Sequence, residues 1–201
     1  MILAFDTSSA ACTAALFDGA GACLARKDEI IGRGHSERLV PMLDDLLEGR
    51  RADSILVGVG PGSFTGIRVG IAAAHGLAIG WNAQVSGMSS LALLVAGAAS
   101  AGAVAVAVSG GHGELFVQQF DHGAPTTDLI NLPPVEAAEM VSAAIVVGSG
   151  AQALVDARGW GEARDLSPSA ANALTLPVSL RSLAAKPVYA RAPDARPRQA
   201  A

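Results

Sequence analysis

The stretch Gly60-Pro61-Gly62-Ser63-Phe64-Thr65-Gly66-Ile67-Arg68 joins the strand-like run Ser54 to Val59, apolar from Ile55 on, to an alanine- and glycine-rich segment of helical periodicity. An apolar strand leading through a glycine turn into a helix is the unit from which α/β folds are built. Glycine permits φ > 0 and carries no Cβ, so such a turn brings backbone close either to a phosphate or to another helix. Which of the two it does here separates an enzyme from a partner of one.

Composition narrows the choice. At 201 residues and 51% hydrophobic, the chain can bury a core in one domain or in two small lobes without disulfides or metals. A net charge of −4, with only Lys27 and Lys186 beside the arginines, leaves no basic surface able to grip nucleic acid unaided. A role on RNA therefore needs a partner. Cys12 and Cys23 lie in apolar, alternating segments without CxxC spacing, which predicts two buried free thiols in a reducing compartment. Met1 to Asp6 lacks the form of a signal peptide, and Ile71 to Ile79 falls short of the roughly 20 apolar residues of a membrane span, so a cytoplasmic location is expected.

Alternation predicts strands at Ile2 to Asp6, Cys12 to Phe17 and Ala22 to Lys27, a three-stranded meander. Leu39, Leu43, Leu46 and Leu47 recur at helical spacing, with Ser36 or a neighbour as cap and Pro41 disturbing the first turn. A strand at Ser54 to Val59, a helix from about Gly66 to Trp81, a short strand at Gln84 to Ser86 and a helix at Ser90 to Ala99 follow. Beyond residue 100 the pattern partly repeats. A hairpin spans Ala103 to Val108 and Glu114 to Phe120, followed by a helix at Pro134 to Ser142, a strand at Ala144 to Val147 and a helix at Gly150 to Ala157. Strand meander, helix, strand, helix, then a shorter echo, predicts a two-lobed α/β fold of the ribonuclease H-like, actin-like ATPase (ASKHA) type with a reduced C-terminal lobe. The expected divisions are residues 1–100, 101–192 and a disordered tail, 193–201.

Each candidate site has two readings. Asp6, Thr7 and Ser8 end the first strand where a metal-nucleotide phosphate arrives in phosphotransfer enzymes of this architecture, yet the same residues can simply close the turn through their own hydrogen bonds. The second phosphate loop of such an enzyme needs a carboxylate, and the matching segment here is Ser109-Gly110-Gly111. The 60–66 turn lacks the lysine of a phosphate-binding P-loop. Behind it, Gly66, Gly70, Ala74 and Ala78 form a shaved ridge, with Val69, Ala73, Gly76 and Gly80 beside it; this ridge serves either packing on the sheet or a subunit interface. The four histidines, His35, His75, His112 and His122, share no HxxxH spacing, so no metal site is expected. Neither a cysteine–histidine pair nor a GxSxG elbow offers a nucleophile.

Three segments, Ile2 to Ser8, His35-Ser36-Glu37-Arg38-Leu39-Val40-Pro41-Met42-Leu43, and Gly60 to Ile71, resemble the bacterial TsaB (YeaZ) family in order and spacing, as does Pro187-Val188-Tyr189-Ala190-Arg191 near the end. The resemblance implies a noncatalytic paralogue of the TsaD transferase, required for N6-threonylcarbamoyladenosine in tRNAs that read ANN codons. It implies a TsaD-type partner, a TsaE-type ATPase reached through that heterodimer, a homodimer when alone, and contact with tRNA only indirectly. Where TsaD-like proteins carry HxxxH ligands, this chain has Met88-Ser89-Ser90-Leu91-Ala92-Leu93-Leu94.

The expected partner interface comprises His35, Leu39, Met42, Leu43 and Leu46 on one helix and Gly66, Gly70, Ala74, Leu77 and Ala78 on the other. Asp6, Thr7, Ser8, Gly62, Ser63, Phe64, Thr65 and Arg68 are the candidate nucleotide contacts. No cofactor of its own is expected, and ADP or ATP is placed at the partner interface. The rival is an actin-fold ATP-dependent small-molecule kinase working through Asp6 and the 60–66 turn.

Overall fold

The computed structural model describes residues 1–100 and 102–189, so the expected tail, with Ala190 and Arg191 of the closing motif, lies outside the described residues. The first sheet is built from β1 (Ile2–Asp6), β2 (Ala11–Phe17), β3 (Cys23–Ile30), β4 (Ser54–Gly58) and β5 (Gln84–Met88), in the order β3-β2-β1-β4-β5. β1 pairs antiparallel with β2, Ile2 opposite Phe17, and parallel with β4, Ile2 opposite Ser54. α1 (His35–Leu47) and α2 (Phe64–Trp81) share one core with this sheet, and α3 (Ser90–Gly97) leads out of it.

The second sheet repeats the plan with shorter pieces. β6 (Val104–Ser109) pairs antiparallel with β7 (Leu115–Asp121), which also pairs β8 (Ala124–Pro125) and β9 (Ile130–Leu132). After α4 (Pro134–Met140), β10 (Ile145–Val147) joins β6 in parallel, and after α5 (Ala151–Arg158), β11 (Glu162–Arg164) joins β10 in parallel. β6 thus occupies the place of β1, with a hairpin on one side and parallel strands on the other. This is the two-sheet, actin-like α/β architecture.

α3 lies between the sheets. Leu91, Leu93 and Leu94 pack in one cluster with Phe17 and Leu56 of the first sheet and Val106 and Val147 of the second. The strands divide near residue 100, whereas the closing segment crosses back. The Ala170 amide donates to Thr13 Oγ1 at 2.7 Å, Gly87 and Leu183 exchange backbone hydrogen bonds at 2.7 and 3.0 Å, and the Val188 amide donates to the Val59 carbonyl at 2.9 Å. The proline-rich segment after residue 168, through its 3-10 turn at Ala170–Thr175 and α6 (Val178–Arg181), therefore sits on the first sheet.

Two expectations about burial change. β2 is buried along its whole length, but β3 is an edge strand with one open face, so Cys12 is buried while Cys23 is exposed. Desolvation pushes the Cys12 thiol up to about 11.

The larger correction concerns the helices. α1 starts after Gly34, at φ 89, without a side-chain cap, and turns His35, Leu39, Met42, Leu43 and Leu46 inward as core. His35 Nε2 meets the Ala11 carbonyl at 3.2 Å. On α2, Gly66, Gly70 and Ala74 also face inward. A Cβ at Gly66 would lie 2.0 Å from the Thr7 carbonyl oxygen, and one at Gly70 would lie 2.6 Å from Thr7 Oγ1. The ridge is shaved because the chain's own β1 turn runs across it, so these eight residues are not a partner surface. Leu77 and Ala78 are half-buried. The face α2 shows outward contains Thr65, Arg68, Ala72, His75, Gly76, Ile79 and Gly80, and Ile79 is 86% exposed.

Urea unfolding should separate the two faces. Gly66→Ala is expected to cost about 2–3 kcal/mol through overpacking, whereas Gly76→Ala, with open space at its Cβ, should add about 0.5–1 kcal/mol through helix propensity. In the native protein, a thiol reagent should modify Cys23 within minutes and Cys12 only on unfolding; equal rates at both thiols would contradict the assigned burial.

Candidate functional site

Asp6 is the last residue of β1, beside Gly58 on β4, and is completely buried. The space for its carboxylate exists because Gly58 has no side chain: a Cβ there would lie 1.8 Å from Asp6 Oδ2. Oδ1 accepts hydrogen bonds from the Ser8 amide and the Ser8 hydroxyl, both at 2.7 Å, and Oδ2 accepts from the Ser90 hydroxyl at 2.5 Å. Ser90 Oγ in turn accepts from the Gly60 amide at 3.0 Å. One carboxylate thus ties together the end of β1, the glycine turn and the first turn of α3. Thr7 Oγ1 donates to the Gly66 carbonyl at 2.7 Å, and the Ser63 amide donates to the Ser8 carbonyl at 2.6 Å, fastening the same turn to α2.

Asp6 and Thr7 are thus sealed from both nearby cavities as nucleotide contacts, whereas Ser8 still lines the larger one, with its amide and hydroxyl engaged by Asp6. A carboxylate with both oxygens engaged and no solvent exposure has nothing to offer a hydrated metal ion, and its desolvation is offset by those three donors. The turn-closing alternative is the observed one.

The remaining candidates surround two cavities. A cavity of about 830 Å³ opens between the sheets, with Gly62, Ser63, Phe64 and Arg68 on one wall and Val108 to His112, Phe116 and Ser149 on the other. A smaller one of about 340 Å³ gathers Thr65, Ser63, Gly66 and His35 below the N-terminus of α2. Ser63 caps that helix by accepting from the Gly66 amide at 3.2 Å. Arg68 lies over the Phe64 ring, 3.2 Å from its centroid, and 5.3 Å from that of Tyr189.

Across the larger cavity, Ser109 ends β6 as Asp6 ends β1. Its amide donates to Ser149 Oγ at 3.1 Å and its hydroxyl to the Ser149 carbonyl at 3.3 Å. The next acid, Glu114, accepts from Asn131 Nδ2 at 2.5 Å and does not line the cavity. No aspartate or glutamate lines it among the described residues. The residues present therefore do not fit a metal-bound nucleotide held in the manner of a phosphotransfer enzyme.

Four residues that matter here carry no local signal as a group. Gly58 and Ser90 shape the Asp6 site, Tyr189 completes the stack on Arg68, and Ser149 closes the second loop. Ser89-Ser90 before an apolar run is readable as a helix start, since Ser89 caps α3, but the partner of Ser90 lies 84 residues away. No helix among the described residues is long and apolar enough to cross a membrane.

Residues 28–151 match the family model described as TsaD, tRNA N6-adenosine threonylcarbamoyltransferase. The tRNA threonylcarbamoyladenosine biosynthesis protein TsaB of Escherichia coli K12 is 33% identical over 173 residues, which covers 77% of this chain and 74% of that protein. YeaZ from Pseudomonas aeruginosa superposes with a TM-score of 0.74 at 30% identity, covering 94% of this chain and 98% of its own. A second Pseudomonas aeruginosa structure, of a protein described as similar to peptidase YeaZ, gives 0.78 at 32% identity over 94% and 99%.

Ser90→Ala should lower the unfolding free energy by about 2–3 kcal/mol, because it leaves an oxygen of Asp6 and the Gly60 amide without partners in a dry site. Chemical denaturation checks this; a loss below about 0.5 kcal/mol would mean that water reaches Asp6.

Proposed function

The chain belongs to the TsaB (YeaZ) family, and on that premise we propose that it is a noncatalytic scaffold subunit in the threonylcarbamoyladenosine modification of tRNA. It binds a TsaD-type transferase and holds it competent for the reaction, with a TsaE-type ATPase joining through the heterodimer. The observation that carries this reading is the sealed Asp6 carboxylate: the one acid placed for phosphate chemistry is spent on the chain's own turn. The second loop adds serine where a kinase needs a carboxylate, which weighs against the small-molecule kinase. With a net charge of −4, contact with tRNA falls to the partner. Nucleotide at the joint is likewise held by the partner, since this chain's cleft supplies no carboxylate for its metal among the described residues.

The partner surface in this reading is the outward side of the helix pair, not the ridge beneath it. Ala72, Gly76 and Gly80 leave α2 flat, Ile79 stands out at 86% exposure, and Val40 of the neighbouring α1 is 63% exposed. Small residues let a partner helix approach closely, and an isolated apolar anchor on a flat face has the form of an interface hot spot. The same face serves self-pairing when the partner is absent.

Ile79→Glu and Gly76→Arg, singly and together, should abolish co-elution with a TsaD-type subunit in size-exclusion chromatography while leaving the circular dichroism spectrum of the isolated chain native and the melting temperature of Gly76→Arg no lower than that of the parent. Co-elution undiminished in the double variant would contradict this surface.

A further inference from the structure

The larger cavity has a chemistry that neither a metal-nucleotide nor a partner helix explains. Its volume of about 830 Å³ falls within the range of small-molecule sites. Leu94, Val108, Phe116 and Leu166 make its body apolar. Arg68 and His112 are the basic side chains that line it, and no acid does so among the described residues. Arg68 has no carboxylate partner among the described residues; its Nη1 reaches the Phe64 carbonyl at a long 3.3 Å. The Phe64 and Tyr189 rings, with centroids 6.1 Å apart, flank the guanidinium. Held by ring faces, it keeps donors on its edge for a planar anion, which guanidinium takes in bidentate fashion. The N-terminus of the 18-residue α2 opens on the same wall and adds partial positive charge.

One guanidinium neutralises one charge, and apolar walls penalise any further unpaired charge. We propose that this cleft binds a small carboxylate with an apolar body, its carboxylate on Arg68 and its body between Leu94, Val108, Phe116 and Leu166. The site belongs to the isolated chain and does not depend on the scaffold reading.

The test titrates the full chain with the fluorescent probe 8-anilinonaphthalene-1-sulfonate, an apolar monoanion, and then competes it with octanoate, octanamide or magnesium-ADP. One saturable site is expected, displaced by octanoate but not by octanamide or magnesium-ADP. Arg68→Gln should raise the dissociation constant at least about tenfold. Ala10→Trp, at an exposed residue on the cavity wall, should abolish binding by filling the space. Ile79→Glu, on the outer face, should leave it unchanged, which separates this site from the partner surface. Equal binding by Arg68→Gln and Ala10→Trp, loss of binding in Ile79→Glu, or displacement by magnesium-ADP would each overturn the proposal.

Discussion

The fold turns on a carboxylate with nowhere to go. Asp6 ends the central strand in a space that exists only because Gly58 lacks a side chain, and its oxygens take donors from its own turn and from α3. Three backbone segments that diverge after the first sheet, at the β1 turn, the glycine turn and the α3 start, are thereby held at one point. The α2 helix then follows, because Thr7 and Ser8 bind the Gly66 carbonyl and the Ser63 amide. Residue types suited to phosphate chemistry here hydrogen-bond the chain's own backbone and hydroxyls. Burying a charge is tolerable only when its hydrogen bonds are complete, so the corner is rigid and chemically closed.

That closure has a consequence for the rest of the surface. Once the β1 turn lies against Gly66 and Gly70, α2 is committed to the sheet along one side, and its opposite side becomes the exposed one. The flat outward face and the cleft wall at Phe64 and Arg68 are two ends of that same helix. The proposed partner face and the proposed ligand cleft therefore lie toward opposite ends of one helix, and both depend on how the first turn seats it.

Much of the architecture is legible in the sequence because strand alternation, helix periodicity and turn glycines are local signals. The meander, the parallel strands and the echo beyond residue 100 all lie close to where those signals place them. Which face of a helix looks inward is another matter. α2 carries small residues on both sides, so periodicity cannot distinguish Gly70 from Gly76, and the choice is made by Thr7, 63 positions before one and 69 before the other. Cys23 is misjudged for a related reason: alternation is the same for a strand covered on two faces or on one. The closing segment docks through Thr13, Gly87 and Val59, pairings across more than 90 residues that no local pattern carries. Asp6 itself is conspicuous in the sequence, but its burial depends on Gly58 and Ser90, which are conspicuous only once the chain is folded.

The central claim is that the acid at the end of β1 holds the fold and performs no phosphate chemistry. Its most direct test is the hydrolysis of magnesium-ATP by the purified chain alone, followed over protein concentration. The account predicts a rate that does not rise above the protein-free background. A rate that scales with protein concentration, and that is lost in an Asp6→Asn variant retaining its fold, would contradict it.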